Sequence, residues 1–138
     1  MILSYSINDV IILCNKIPVI SFAEDRKIEI EAEAEFYSYK QDAAGDYNFI
    51  VQNNNKNYNI KIPLLKGSPS NIFFTERMMG KTFFDIILLQ ANLKLEFASF
   101  FYSKACTIIK APVVLYSREV PTIEWEIKAF NGEFVVGK

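Results

Sequence analysis

The sequence predicts a mainly β fold, an antiparallel β-sandwich or barrel with one packed α-helix, on the strength of three observations. Apolar and polar residues alternate with a period of two over several short stretches, the clearest being residues 27–36, Lys-Ile-Glu-Ile-Glu-Ala-Glu-Ala-Glu-Phe. Aromatic residues make up 14% of the chain, with twelve Phe, a composition that favours sheets. Helical spacing begins in one place, after Ser68-Pro69-Ser70-Asn71. A chain of 138 residues is read as a single domain, 1–138.

Residues 9–14 and 17–22 form a first pair of strands around the polar turn Asn15-Lys16. Residues 27–36 follow. On a strand, Ile28, Ile30, Ala32, Ala34 and Phe36 point one way, and Glu29, Glu31, Glu33 and Glu35 the other. Ala and Glu favour helix, but a helix would scatter these apolar residues around its axis, so the strict alternation decides. The acidic row has two readings: the solvated face of an antiparallel sheet, or a surface that must repel an anion.

Residues 37–46 lose the alternation and gather Tyr39, Lys40, Gln41, Asp42, Gly45 and Asp46, which reads as a loop. Strands are expected at 47–52 and 58–65, joined by the turn Asn53-Asn54-Asn55-Lys56-Asn57. Pro63 lacks an N–H for the ladder and points to an edge strand. Ser68 or Ser70 caps a helix that runs to Gly80, with Phe73 and Met79 as core residues. Residues 82–90 form a buried strand. Residues 91–102 are ambiguous, and their aromatic end (Phe97, Phe100, Phe101, Tyr102) is either core or a partner surface. Alternation returns at 104–111 and 123–130, and Asn131-Gly132 is the strongest hairpin signal, closing the sheet with residues 133–136.

Several kinds of chemistry find no support. The chain has no His, the commonest general base and transition-metal ligand. Its five Gly are too dispersed for a phosphate-binding loop, and a flat row of carboxylates cannot wrap a cation. Consecutive glutamates on one strand make a row, whereas a glycosidase needs an opposed pair. Net charge is −1, so no overall basic field attracts nucleic acid. Cys14 and Cys106 lack metal spacing; their number allows one disulfide, but they read rather as two buried thiols in a reducing cytosol. No apolar run is long enough to span a membrane, and the N-terminal stretch lacks the basic start of a signal peptide. The expectation is a soluble protein made in the cytoplasm that is not an enzyme and uses no cofactor or metal.

The order of motifs resembles the tail tube proteins of contractile-tailed phages. An acidic Gly-containing loop (Asp42-Ala43-Ala44-Gly45-Asp46) precedes two alternating strands and then Ser68-Pro69-Ser70-Asn71 opening a helix. Near the end come Ala105-Cys106-Thr107-Ile108-Ile109-Lys110-Ala111-Pro112, Ser117-Arg118-Glu119 and Glu124-Trp125-Glu126-Ile127-Lys128-Ala129. The Asn-rich turn and the aromatic segment at 97–102 depart from that pattern. The resemblance implies a tail-tube-like fold, similar to the type VI secretion tube protein. It implies self-assembly into stacked homo-hexameric rings forming a channel through which DNA passes without specific binding. Tail sheath, baseplate and tail terminator proteins would be its partners and the virion its location, after synthesis in the bacterial host cytoplasm. The loop containing Tyr39, Lys40, Gln41, Asp42, Gly45 and Asp46 would reach a neighbouring ring. Glu29, Glu31, Glu33 and Glu35 would line the channel and repel phosphates. Two other readings stand beside it. One is a different ring-forming component, a tail terminator or secretion tube subunit. The other is a monomeric β-barrel that binds an apolar ligand, with residues 97–102 at its mouth.

Overall fold

A computed structural model describes residues 10–23, 27–90, 99–116 and 118–136. The alternation expected at 91–98, including Phe97, lies outside the described residues, as do Asp9, residues 24–26 and Ser117. Eleven strands and one helix are described: β1 (Val10–Cys14), β2 (Ile17–Pro18), β3 (Glu29–Ala32), β4 (Tyr37–Gln41), β5 (Asn48–Gln52), β6 (Tyr58–Leu65), α1 (Ser70–Gly80), β7 (Phe84–Gln90), β8 (Phe100–Thr107), β9 (Val113–Leu115), β10 (Thr122–Phe130) and β11 (Glu133–Val135). The mainly antiparallel β fold with one helix is as the sequence predicts. One antiparallel sheet runs in the order β2-β1-β7-β8-β10-β6-β3, with β9 and β11 added beside β10 and β8. A second sheet contains β4 and β5 alone.

Period-two alternation builds the core. Ile60, Ile62 and Leu64 of β6, Trp125, Ile127 and Ala129 of β10, Phe84, Ile86 and Leu88 of β7, and Ile12 and Cys14 of β1 join one buried cluster. The large sheet therefore folds its inward faces together, with Phe74 of α1 against Trp125 and Phe84. Pro63 is buried, and both β6 and β10 are interior strands rather than edges. Proline is tolerated there because β3 reaches only to Lys61. Beyond it the Pro63 carbonyl accepts the Ala23 N–H at 3.1 Å.

One long strand is interrupted rather than turned back. β10 and β11 pair with β8 in one continuous register, Phe130 opposite Ala105 and Glu133 opposite Tyr102. Asn131-Gly132 is thus a kink in a single strand and not the expected hairpin. Asn131 takes the left-handed conformation at φ 52°, and the Gly132 N–H bonds the Lys56 carbonyl at 2.8 Å. Glycine is required at 132 by crowding: a Cβ there would lie 2.8 Å from the Phe101 ring and 2.9 Å from Tyr58. The ambiguous aromatic segment resolves into β8 from Phe100 onward, with Phe101 fully buried. By contrast the Asn15-Lys16 turn is as expected, both residues having positive φ, the geometry of a two-residue hairpin.

The Ser-Pro-Ser-Asn segment is a buried polar hub. Ser68 Oγ donates to the Ile20 carbonyl at 2.6 Å, and Ser70 Oγ accepts the Ile20 N–H at 3.0 Å. Asn71 accepts the Trp125 indole N–H at 2.8 Å and donates to the carbonyls of Leu65 and Lys66. The start of α1 is thereby fixed to β6, β10 and the segment after β2. Pro69 occupies the N-cap, so neither serine caps from that position. At the other end Lys81, not Gly80, takes the left-handed conformation, at φ 51°. Phe73 is half-buried as a core residue, but Met79 is 76% exposed and points away from the sheet.

Candidate assembly surface

The chain from β3 to β6 is one long hairpin with a waist. β3 pairs with β6 as far as Ala32 opposite Tyr58, and the Glu33 N–H still bonds the Asn57 carbonyl at 2.9 Å. Beyond that point the two chains bend, and pairing resumes in β4 and β5 from Tyr37 opposite Gln52. Residues 53–57 do not turn the chain back, because β5 and β6 are not partners. They form part of the waist. Asn53 donates its N–H to the Phe36 carbonyl, and Asn53 and Asn55 accept the N–H groups two residues on, at 3.0 and 2.8 Å.

The expected loop at 37–46 is therefore half strand. Tyr39, Lys40 and Gln41 belong to β4, while Asp42, Gly45 and Asp46 form the tip. The strand was hidden because no residue of it enters the core, leaving its alternation without a consistently apolar side. Asp42 Oδ1 accepts the N–H groups of Asp46 and Tyr47 at 2.9 and 3.3 Å, and Gly45 has φ 78°. All six residues singled out from the sequence thus share one projecting element.

Every residue of β4 and β5 is exposed, several of them large and apolar. Residues paired across the ladder share a face. Tyr37, Tyr39 and Ile50 lie on one face with Gln41, Asn48 and Gln52, and Phe49 and Val51 lie on the other with Ser38 and Lys40. Tyr39 is 80% exposed, Ile50 70% and Phe49 60%. An open hollow of about 500 Å³ lies along the first face, lined by Tyr37, Ser38, Tyr39, Asn48 and Ile50. A two-stranded hairpin standing alone is marginal in water, and apolar residues on both faces make it more so. Nothing else in the described chain covers it. The sequence signal for this surface is Phe49-Ile50-Val51: three consecutive apolar residues on a strand must occupy both faces.

The acidic row is shorter than its sequence suggests. β3 ends at Ala32, so Glu29 and Glu31 lie on the strand, Glu33 in the bend and Glu35 in the waist. Pairing places Lys61 beside Glu29 and Asn59 beside Glu31, with Glu126 and Lys128 on β10 next across. Lys128 Nζ lies 2.8 Å from Glu33, and Lys110 Nζ lies 2.9 Å from Glu126. The hydrogen bond from Lys128 holds the Glu33 carboxyl below its usual pKa. This surface is mixed in sign.

Neither thiol is exposed for chemistry. Both thiols are fully buried and free, and burial pushes Cys14 up strongly and Cys106 up to about 12, so neither is a ready nucleophile. No cluster of three or more acidic or Cys residues able to hold a metal occurs among the described residues, and no described helix is long and apolar enough to cross a membrane.

No family model and no curated protein matches the chain. Solved structures do. A chain of the anti-feeding prophage cap, described as the tube terminating cap, superposes with a TM-score of 0.63 at 10% identity, covering 99% of this chain and 95% of that one. A chain of the sheath/tube terminator of an extracellular contractile injection system, PVC, in its extended state, gives 0.65 at 12% identity, covering 96% and 97%. A chain of the six-fold symmetrised anti-feeding prophage baseplate gives 0.58 at 14% identity, covering 94% and 92%. At such identities the likeness is one of fold: this chain has, end to end, a fold found in the tube-terminating and baseplate structures of contractile injection systems.

Proposed function

We propose that this chain is a structural, ring-forming component of a contractile tail-like particle, of the tube terminator class. The observation that carries this reading is the mutual coverage. Two of the similar chains come from structures of tube terminators, and in both the superposition takes in 95% or more of each chain. The inner tube subunit implied by the sequence motifs is the second reading, and the similar structures favour it less. The projecting hairpin supports either, since its exposed apolar faces need a partner that a monomer cannot supply. In this reading the hairpin crosses to a neighbouring subunit. Glu29, Glu31 and Glu35 are the acids left to face a channel, because Glu33 is held by Lys128. A hexamer is the expected ring. Tail sheath, tube and baseplate proteins are the expected partners, in a phage-tail-like particle.

The monomeric ligand-binding barrel loses its main support, because Phe101 fills the core instead of lining a mouth. Electron microscopy of the purified protein over a concentration series tests the proposal. Closed single rings that do not stack are expected. Long hollow tubes would return the chain to the inner tube class, and monomers at every concentration would refute a ring-forming role.

A further inference from the structure

The two faces of the projecting hairpin differ in one respect. The face carrying Tyr37, Tyr39 and Ile50 has no charged residue, whereas the face carrying Phe49 and Val51 also carries Lys40, directly opposite Phe49. Among the described residues Lys40 has no ion-pair partner. A surface complementary to this face is apolar with an anion in its midst.

The chain contains such a surface elsewhere. On α1, Ile72, Glu76 and Met79 fall on one side at helical spacing, and all three are exposed, Ile72 by 64% and Met79 by 76%. This is the side of α1 turned away from Phe74 and the core. Glu76 has no ion-pair partner among the described residues either. The two surfaces are similar in length without being equal. Ile72 and Met79 are about 10 Å apart along the helix axis, with Glu76 between them. Phe49 and Val51 are about 7 Å apart along their strand, with Lys40 beside Phe49.

We infer that the Lys40 face of the hairpin docks on the Ile72–Glu76–Met79 stripe of α1 in a second copy of this chain, pairing Lys40 with Glu76. The inference rests on the ring-forming reading and adds to it the surface that receives the hairpin. Hairpin and stripe are different surfaces, so the contact is head-to-tail, the kind that repeats around a ring instead of stopping at a dimer. The apolar contact supplies the burial, and the charge pair selects the register.

The test uses full-length protein with Lys40→Cys in one preparation and Glu76→Cys in another, mixed and treated with a short bismaleimide. The native thiols are fully buried and do not compete. Cross-linked dimer is expected in the mixture and in neither preparation alone. In parallel, Lys40→Glu raises the concentration needed for assembly by roughly tenfold or more, and the exchange Lys40→Glu/Glu76→Lys restores it. Rings seen by electron microscopy without the cross-link, or with no rescue by the exchange, overturn the contact and leave the ring-forming reading standing. Monomers throughout overturn both.

Discussion

Asn71 is the residue whose loss the fold should feel most for its size. It sits 8% exposed at the start of α1, its carbonyl oxygen accepting the Trp125 indole N–H at 2.8 Å and its amide donating to Leu65 and Lys66. Replacing it with Ala leaves a buried indole N–H without an acceptor and removes a donor from two carbonyls. Leu65 still accepts from the Ser68 N–H, so that carbonyl is spared. An unsatisfied buried donor costs about 1–3 kcal/mol, and the Lys66 carbonyl adds a smaller amount, so the variant should lose about 2–4 kcal/mol. At roughly 4 °C per kcal/mol for a domain of this size, the melting midpoint should fall by about 8–16 °C. Trp125→Phe removes the donor instead and strands the Asn71 carbonyl oxygen. The double variant should then cost less than the sum of the two singles by about 1–2 kcal/mol, because neither stranded group remains. Urea unfolding of all four proteins measures this cycle. Costs that add to within about 0.5 kcal/mol would refute the claim that the pair acts as one buried unit.

Gly132→Ala forces a methyl group to 2.8 Å from the Phe101 ring, which is held edge-on by Tyr58 and Phe134. Denaturant unfolding should show a loss of about 1–3 kcal/mol, and no loss would mean that the aromatic cluster yields readily. The Lys128 hydrogen bond lowers the pKa of Glu33 in the folded protein, so its contribution is fully present above the ordinary carboxylate range. It is lost as pH falls through the lowered folded-state value. An NMR titration of Glu33 should find its midpoint returning upward in Lys128→Met. An unmoved midpoint would show that the 2.8 Å pair does not persist in solution.

What the sequence made legible was the part of the chain whose side chains meet the core. At β6 and β10 one face is buried, so Ile60, Ile62 and Leu64 or Trp125, Ile127 and Ala129 recur with period two and announce a strand. At β4 both faces meet water, Tyr37-Ser38-Tyr39-Lys40 has no core to match, and local composition reads as a loop. The acidic row misled in the opposite sense. Its alternation continues to Phe36, but the chain leaves the body at Glu33, and Ala32 is already exposed at the end of β3. Asn131-Gly132 has the residues of a hairpin turn, yet it serves a kink whose glycine is fixed by Phe101 and Tyr58, residues distant in sequence. Close approaches of that kind leave no local mark. Residues 39–46, contiguous in the sequence, share one arm. That apolar residues occupy both faces of the arm follows from Phe49-Ile50-Val51, but which residues share a face follows from the pairing of Tyr39 with Ile50 and Lys40 with Phe49.

The central claim is that this chain assembles through its projecting hairpin. The most direct measurement is the solution mass, by mass photometry, of the intact protein beside a Phe49→Ser/Val51→Ser variant, with a thermal melt of each. Both positions are more than half exposed, Phe49 at 60% and Val51 at 58%, so the variant should fold and melt almost as the parent does. The intact protein should have the mass of a closed ring and the variant that of a single chain. Equal masses for two equally stable proteins would contradict the claim.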